Sequence, residues 1–111
     1  MPTPTDDERR ERDQIAHRLA KAGFALPGTL LERRTSCGKA GCRCQADPPR
    51  LHGPYHQWTR KIDGKTHTRR LTDEQAELYG PWFDHARELR ELVSQLETLS
   101  LRIFERSEDP A

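Results

Sequence analysis

Cys37-Gly38-Lys39-Ala40-Gly41-Cys42-Arg43-Cys44, followed after seven intervening residues by His52, is the stretch on which the fold turns. Three thiolates and one imidazole fill the tetrahedral shell of a zinc ion and leave no open position, as a structural site requires. Gly38 and Gly41 let the backbone curl around an ion. Lys39 and Arg43 place positive charge beside the thiolates, which favours their ionised, metal-binding form. The cysteines are odd in number and crowd into eight residues, unlike a disulfide framework. No C-x-x-C opens a helix here, so a redox role is not expected. His56 competes with His52 for the fourth position. His52 is the better ligand because Gly53-Pro54 follows it in a turn, whereas His56 falls inside an expected strand. The segment from Ser36 to Pro54 is broken by glycine and proline and suits no regular element. A loop of that length in a compact domain calls for a metal to organise it.

A hairpin signal follows. Tyr55 to Ile62 and Lys65 to Leu71 are joined by Asp63-Gly64, a dipeptide suited to a two-residue type I′ turn. In that register, residues whose numbers sum to 127 face each other. One face then carries Trp58, Ile62 and Leu71 among His56, Arg60, His67, Lys65 and Arg69. The other carries Tyr55, Gln57, Thr59, Lys61, Thr66, Thr68 and Arg70. On the N-terminal side, Thr29 to Thr35 reads as a further strand, preceded by a turn at Leu26-Pro27-Gly28. Ahead of it, Thr5 and Glu8 have capping-box spacing, and Ile15, Leu19 and Ala22 recur at helical intervals, with Gly23 as the expected stop. Beyond the hairpin, Thr72 and Gln75 form a second capping box for a short helix from Asp73 to Tyr79. Gly80-Pro81 should break or bend it, and a longer helix should run from Pro81 to Arg106.

In that last helix Leu89, Leu92, Leu96, Leu99 and Ile103 repeat at spacings of three and four, and His85 extends the seam backwards. About three heptads of this kind meet the minimum for a coiled coil. The chain has 111 residues, of which 32% are hydrophobic and 33% charged, and a mean hydropathy of -1.01. So little core material implies stability borrowed from a metal, a partner chain or both. The five seam residues are therefore expected to form a homodimer contact, the alternative being an ordinary amphipathic helix packed on its own domain.

The net charge of +1 hides a segregation. Residues 1–31 are neutral. Residues 32–71 carry ten basic side chains against three acidic, and residues 72–111 four basic against ten acidic. Arg33, Arg34, Lys39, Arg43, Arg60, Lys61, Lys65, Arg69 and Arg70, interleaved with threonine hydroxyls, are the expected nucleic-acid contacts, since a rigid basic ribbon suits phosphates and a DNA groove. The alternative is a zinc-stabilised interaction or dimerisation module whose basic and acidic parts pair with each other. No catalytic residue is expected, because a four-ligand zinc has no exchange position. Hydrolysis would become credible only if water replaced His52. There is no apolar run of membrane-spanning length and no secretory leader pattern at Met1-Pro2-Thr3-Pro4-Thr5, so a cytoplasmic protein is expected.

The strings Pro27-Gly28-Thr29-Leu30-Leu31-Glu32-Arg33, Cys37 to Cys44, His52-Gly53-Pro54-Tyr55 and Arg60-Lys61-Ile62-Asp63-Gly64-Lys65-Thr66 resemble a widespread family of small bacterial proteins classed as a domain of unknown function. The resemblance covers about residues 27 to 100. It implies three shared cysteines, the first histidine, the Asp-Gly-Lys hairpin and a leucine-rich C-terminal helix, and it supplies no activity. Where this chain has His56 and Gln57 the family pattern has aromatic residues, which supports His52 as the ligand. Members are often encoded near mobile-element genes, which favours DNA over RNA as the partner.

The expected protein is thus α+β: an N-terminal helix (1–27), a three-stranded antiparallel sheet with a Cys3His zinc loop (28–72), and an acidic, dimerising C-terminal helical segment (73–108). No membrane or small-molecule partner is expected.

Overall fold

A computed structural model describes residues 3–108. Its elements are α1 (Asp6–Ala20), β1 (Thr29–Thr35), a 3-10 turn (Arg43–Gln45), β2 (His52–Ile62), β3 (Lys65–Leu71) and α2 (Asp73–Glu108). The three strands form one antiparallel sheet in the order β1-β2-β3. The architecture is the expected α+β one. No helix among the described residues is long and apolar enough to cross a membrane. The chain divides into two compact units, residues 26–83 and a helical unit of α1 with the part of α2 that follows residue 83.

In residues 26–83 the hairpin register runs from His56 opposite Leu71 to Ile62 opposite Lys65. Asp63 and Gly64 both take positive φ, 50° and 78°, as a type I′ turn demands. One sheet face is covered at the end nearest Leu71. Trp58 meets Phe83 edge to face at 5.9 Å, its indole N–H donates to the Pro27 carbonyl at 2.9 Å, and Leu71 and Phe83 are buried. Gly28 makes that turn possible. Its φ is 94°, and a Cβ there would lie 2.4 Å from the Thr59 carbonyl oxygen. β1 pairs with β2 only as far as Thr59, so Arg60–Ile62 and Lys65–His67 project as a two-stranded arm.

Two boundaries differ from expectation. β2 begins at His52, so Gly53-Pro54 lies in the strand rather than in a turn, and the Ser36–Pro54 segment also contains the 3-10 turn. The register shifts between Arg33 and Thr35, and Gly53, with φ 114° and a site where a Cβ would lie 2.8 Å from the Arg33 carbonyl oxygen, accommodates the irregularity as only glycine can. The second difference is that α2 runs unbroken through Pro81. Proline removes one helical hydrogen bond, at a cost of about 3 kcal/mol. Its ring also crowds the Cβ of the preceding residue, but that residue is Gly80, which has none. The Tyr79–Trp82 ring pair at 4.9 Å and the burial of Phe83 offset the lost bond. The Thr72–Gln75 box that opens α2 is formed, with bonds of 2.9 and 3.1 Å.

In the helical unit, the Thr5 hydroxyl accepts from the Glu8 amide at 3.1 Å and Glu8 accepts from the Thr5 amide at 2.8 Å. Arg106 donates to both Glu8 carboxylate oxygens, at 2.5 and 2.8 Å. α1 ends on Lys21, whose amide reaches the Arg18 carbonyl at 3.2 Å while that of Ala22 reaches Leu19 at 3.1 Å, and not on Gly23. Gly23 instead makes room for His85: a Cβ would lie 2.8 Å from its Nδ1, and that nitrogen donates to the Phe24 carbonyl at 2.8 Å. His85 therefore ties down the segment after α1 rather than extending a seam.

The heptad seam is occupied within the chain. Leu92, 1% exposed, and Leu99 bury against Ile15 of α1, with Leu19, Leu96 and Ile103 packed around them. Leu89 lines a cleft with Ala22 and His85. Of the periodic set Leu89, Leu92, Leu96, Leu99 and Ile103, the last four pack with Ile15 and Leu19 of α1 within the chain, because an apolar stripe of this width accepts any complementary helix.

Candidate metal centre

The end of β1 and the start of β2 hold the two ends of the cysteine loop, and Thr35 lies opposite His52. Within the loop, the amide of Cys42 reaches the Lys39 carbonyl at 3.3 Å and that of Gln45 reaches Cys42 at 2.9 Å. Gly41 takes φ 84° to allow the reversal. This folding brings Cys37, Cys42, Cys44 and His52 together, with their ligand atoms all within 4.8 Å of one another. Sγ of Cys37 and Sγ of Cys44 are 3.5 Å apart. Sγ of Cys42 is 3.1 Å from Nε2 of His52. A tetrahedron with bonds of about 2.3 Å has edges of about 3.8 Å, so the spacing fits four ligands about one metal ion. Cys44 is buried and the other three are half-buried. The four side chains can hold a metal ion.

The loop prepares the thiols unequally. The backbone amide of Cys37 donates to the Cys44 sulfur at 3.3 Å. That bond, helped by hydrogen bonds from the Cys37, Cys42 and His52 side chains and opposed by burial, brings the Cys44 thiol down to about 6. A hydrogen bond from the Lys39 backbone acts in the same direction on Cys37. It is outweighed by the neighbouring Cys42 and Cys44 thiols and by burial, which together push the Cys37 thiol up. Metal binding to such a set releases protons. Gln45, which sequence reasoning passed over, supports the group: its amide donates to the Cys37 carbonyl at 2.7 Å and lies 3.7 Å from the Cys44 sulfur. His56 is elsewhere, with Nε2 2.9 Å from the carboxylate of Asp73.

The basic residues distribute over the sheet and loop as follows. Arg33, Lys61 and Arg70 share the face of Tyr55, while Arg60, Lys65 and Arg69 share the face of Trp58. Arg34 is exposed on β1, and Lys39 and Arg43 are exposed in the metal loop. The Arg70 guanidinium lies 3.8 Å over the Tyr55 ring and that of Arg60 lies 4.5 Å from the Trp58 ring. These stacks were not anticipated, although the hairpin register placed each pair on a common face. Among the described residues, no lysine or arginine between 32 and 71 is paired with a carboxylate. The paired arginines are Arg10, Arg12, Arg18, Arg87, Arg102 and Arg106, all on α1 or α2.

Two clefts open on the Tyr55 face. One, of about 430 Å³, is lined by Arg33, Tyr55, Gln57, Thr68 and Arg70 among others. The second, of about 380 Å³, shares Thr35, Tyr55 and Arg70 with it and reaches Lys39, Cys42 and His52. No carboxylate lines either.

No curated protein and no solved structure matches this chain significantly. A family model does match, over residues 5–80, which include every strand and all four candidate ligands. The chain belongs to the family described as Domain of unknown function (DUF6788).

Proposed function

We propose that this protein is a non-enzymatic nucleic-acid-binding protein whose basic sheet is held in shape by zinc on Cys37, Cys42, Cys44 and His52. The observation that carries this is the state of the cations. The ten lysines and arginines of residues 32–71 have no carboxylate partner among the described residues, whereas six arginines of α1 and α2 do. Cations held on a sheet, two of them against aromatic rings, and free of internal counter-charges suit a polyanion. The competing reading, in which the basic and acidic parts pair with each other or with a protein partner, predicts no salt-sensitive binding to nucleic acid.

Zinc is the metal favoured by three thiolates and an imidazole at tetrahedral spacing. Its role is to fix the loop, and with four protein ligands it offers no position for a reacting water.

Native mass spectrometry should give one zinc per chain. Fluorescence anisotropy with a labelled mixed-sequence DNA, as duplex and as separated strands, should show binding that weakens steeply with salt. Failure of the zinc-loaded protein to bind either form at low salt would overturn the function, and absence of zinc would overturn the site.

A further inference from the structure

Resting on the nucleic-acid function proposed above, we infer that the ligand is a single strand, laid across the Tyr55 face of the sheet beside the metal loop. The sheet has two unlike faces. The Trp58 face is closed at one end by Phe83 and by the Pro27 turn, and its open end bears a smaller cleft, about 330 Å³, lined by Trp58, Arg60, Ile62, His67 and Arg69. The Tyr55 face carries Arg33, Lys61 and Arg70 with threonine hydroxyls and the Gln57 amide. Opposite Gln57 on that face is Leu31, which is 51% exposed.

The shape of this face selects against a duplex. Its two adjoining clefts, about 430 and 380 Å³, are open to solvent and have room for groups the size of a small ligand. A rigid double helix presents phosphates on a convex surface and keeps its base faces stacked inside. Only unstacked bases can enter such clefts and use a stacking platform. The platform is present: Tyr55 with the Arg70 guanidinium plane over it, and the exposed Leu31 nearby in the register. Gln57 and Thr68 offer donors and acceptors for base edges. Arg33, Arg70 and Lys39 stand around the clefts for the backbone. The two-stranded arm at 60–67 is the element that a duplex groove would accept. Its cations are split between faces, with Lys61 on one and Arg60 and Lys65 on the other, so it does not present one continuous basic edge.

Four cations on this side, Arg33, Lys39, Lys61 and Arg70, imply about four phosphate contacts. The logarithm of affinity should then fall with the logarithm of salt at a slope of about -3 for a single strand. The test uses zinc-loaded full-length protein and labelled probes of about 12 nucleotides: oligothymidylate, oligouridylate and a duplex of equal length. Tighter binding of either single strand than of the duplex is expected, and the two single-strand arms tell DNA from RNA. Two double variants with the same change in charge separate the faces. Arg33→Glu with Arg70→Glu should weaken single-strand binding about tenfold or more, and Lys65→Glu with Arg69→Glu less than about threefold. Should the first variant lose its fold or zinc, Arg33→Gln with Arg70→Gln replaces it. Amide shift mapping on the unaltered protein supplies a variant-free measurement, with Gln57 and Thr68 expected to move and Lys65 and Arg69 to stay. Duplex bound as tightly as single strand, or equal losses in the two charge variants, would overturn the inference alone. No binding to any probe would overturn it together with the function on which it rests.

Discussion

Leu92→Ala should cost the helical unit much of its stability. Leu92 is 1% exposed and sits between Ile15 of α1 and Leu99. Removing three carbons forfeits about 2.4 kcal/mol of transfer free energy at about 0.8 kcal/mol per carbon. The cavity left in a two-helix contact that can only partly collapse raises the total to about 3–5 kcal/mol. A unit of this size has about 3–8 kcal/mol to lose. With a urea slope of about 1–1.5 kcal/mol per molar, the helical transition should move down by about 2 M or more. Val93→Ala, one position away but 47% exposed, should change stability by less than about 0.5 kcal/mol. The assay is urea unfolding followed by far-UV circular dichroism at two protein concentrations. Zinc content should be unchanged by either substitution, because all four ligands belong to residues 26–83. A shift below about 0.5 M would refute intrachain burial of the seam. So would a wild-type midpoint that rises with protein concentration, because mass action then places the contact between chains.

Three further outcomes are expected. The Arg106 guanidinium, hydrogen-bonded to Glu8, holds that carboxyl down from 4.5 to about 2. The folded value lies below the unfolded one, so the pair's contribution is complete above pH 4.5 and is lost as pH falls toward 2. Thermal melts of wild type should therefore decline more steeply across that window than those of Glu8→Gln, and parallel curves would contradict the pairing. Stripping the metal with a chelator, or Cys44→Ser, should remove roughly 10 kcal/mol of binding free energy from the sheet unit and collapse the dispersion of its amide signals. Sheet signals indifferent to the chelator would rule out a structural metal. Gly28→Ala forces a Cβ to 2.4 Å from the Thr59 oxygen at φ 94° and should cost at least about 1–3 kcal/mol. Gly38→Ala, with open space around it, should stay within about 0.5 kcal/mol. Equal melting temperatures for the two variants would show that the Gly28 turn is not constrained as described.

What the sequence made legible was local. Asp63-Gly64 specified its turn, and with it the whole pairing from His56–Leu71 to Ile62–Lys65, because a two-residue loop leaves the register no freedom. Both capping boxes were readable for the same reason: each closes within three residues. The cysteine spacing singled out four side chains that the structure places within ligand distance of one another. The expectations that failed, at Gly23 and at Gly80-Pro81, were competitions that the local pattern does not display. Gly23 looks like a helix stop in isolation, but the His85 ring, far along the chain, is what requires it to lack a side chain. Gly80-Pro81 looks like a break until the aromatic contacts of Tyr79, Trp82 and Phe83 are counted. An apolar heptad stripe states that something will cover it, not whether α1 or a second chain does so.

The distribution of buried residues also argues for where the metal acts. Between residues 36 and 51 the one buried side chain is Cys44, itself a candidate ligand. Hydrophobic burial therefore cannot hold this loop, and its few backbone bonds cannot repay the conformational entropy of ordering it. Ligand bonds can, and they act at a particular place. His52 lies opposite Thr35, and beyond the irregularity Tyr55 lies opposite Arg33. A metal that fastens Cys37 to His52 thus closes β1 onto β2 at the pair next to the cations and the aromatic ring of the open face. The same bonds that order the loop fix the spacing of Arg33 and Lys39 from Arg70 over Tyr55. That coupling would give an ion held by the four side chains a direct bearing on the proposed binding surface.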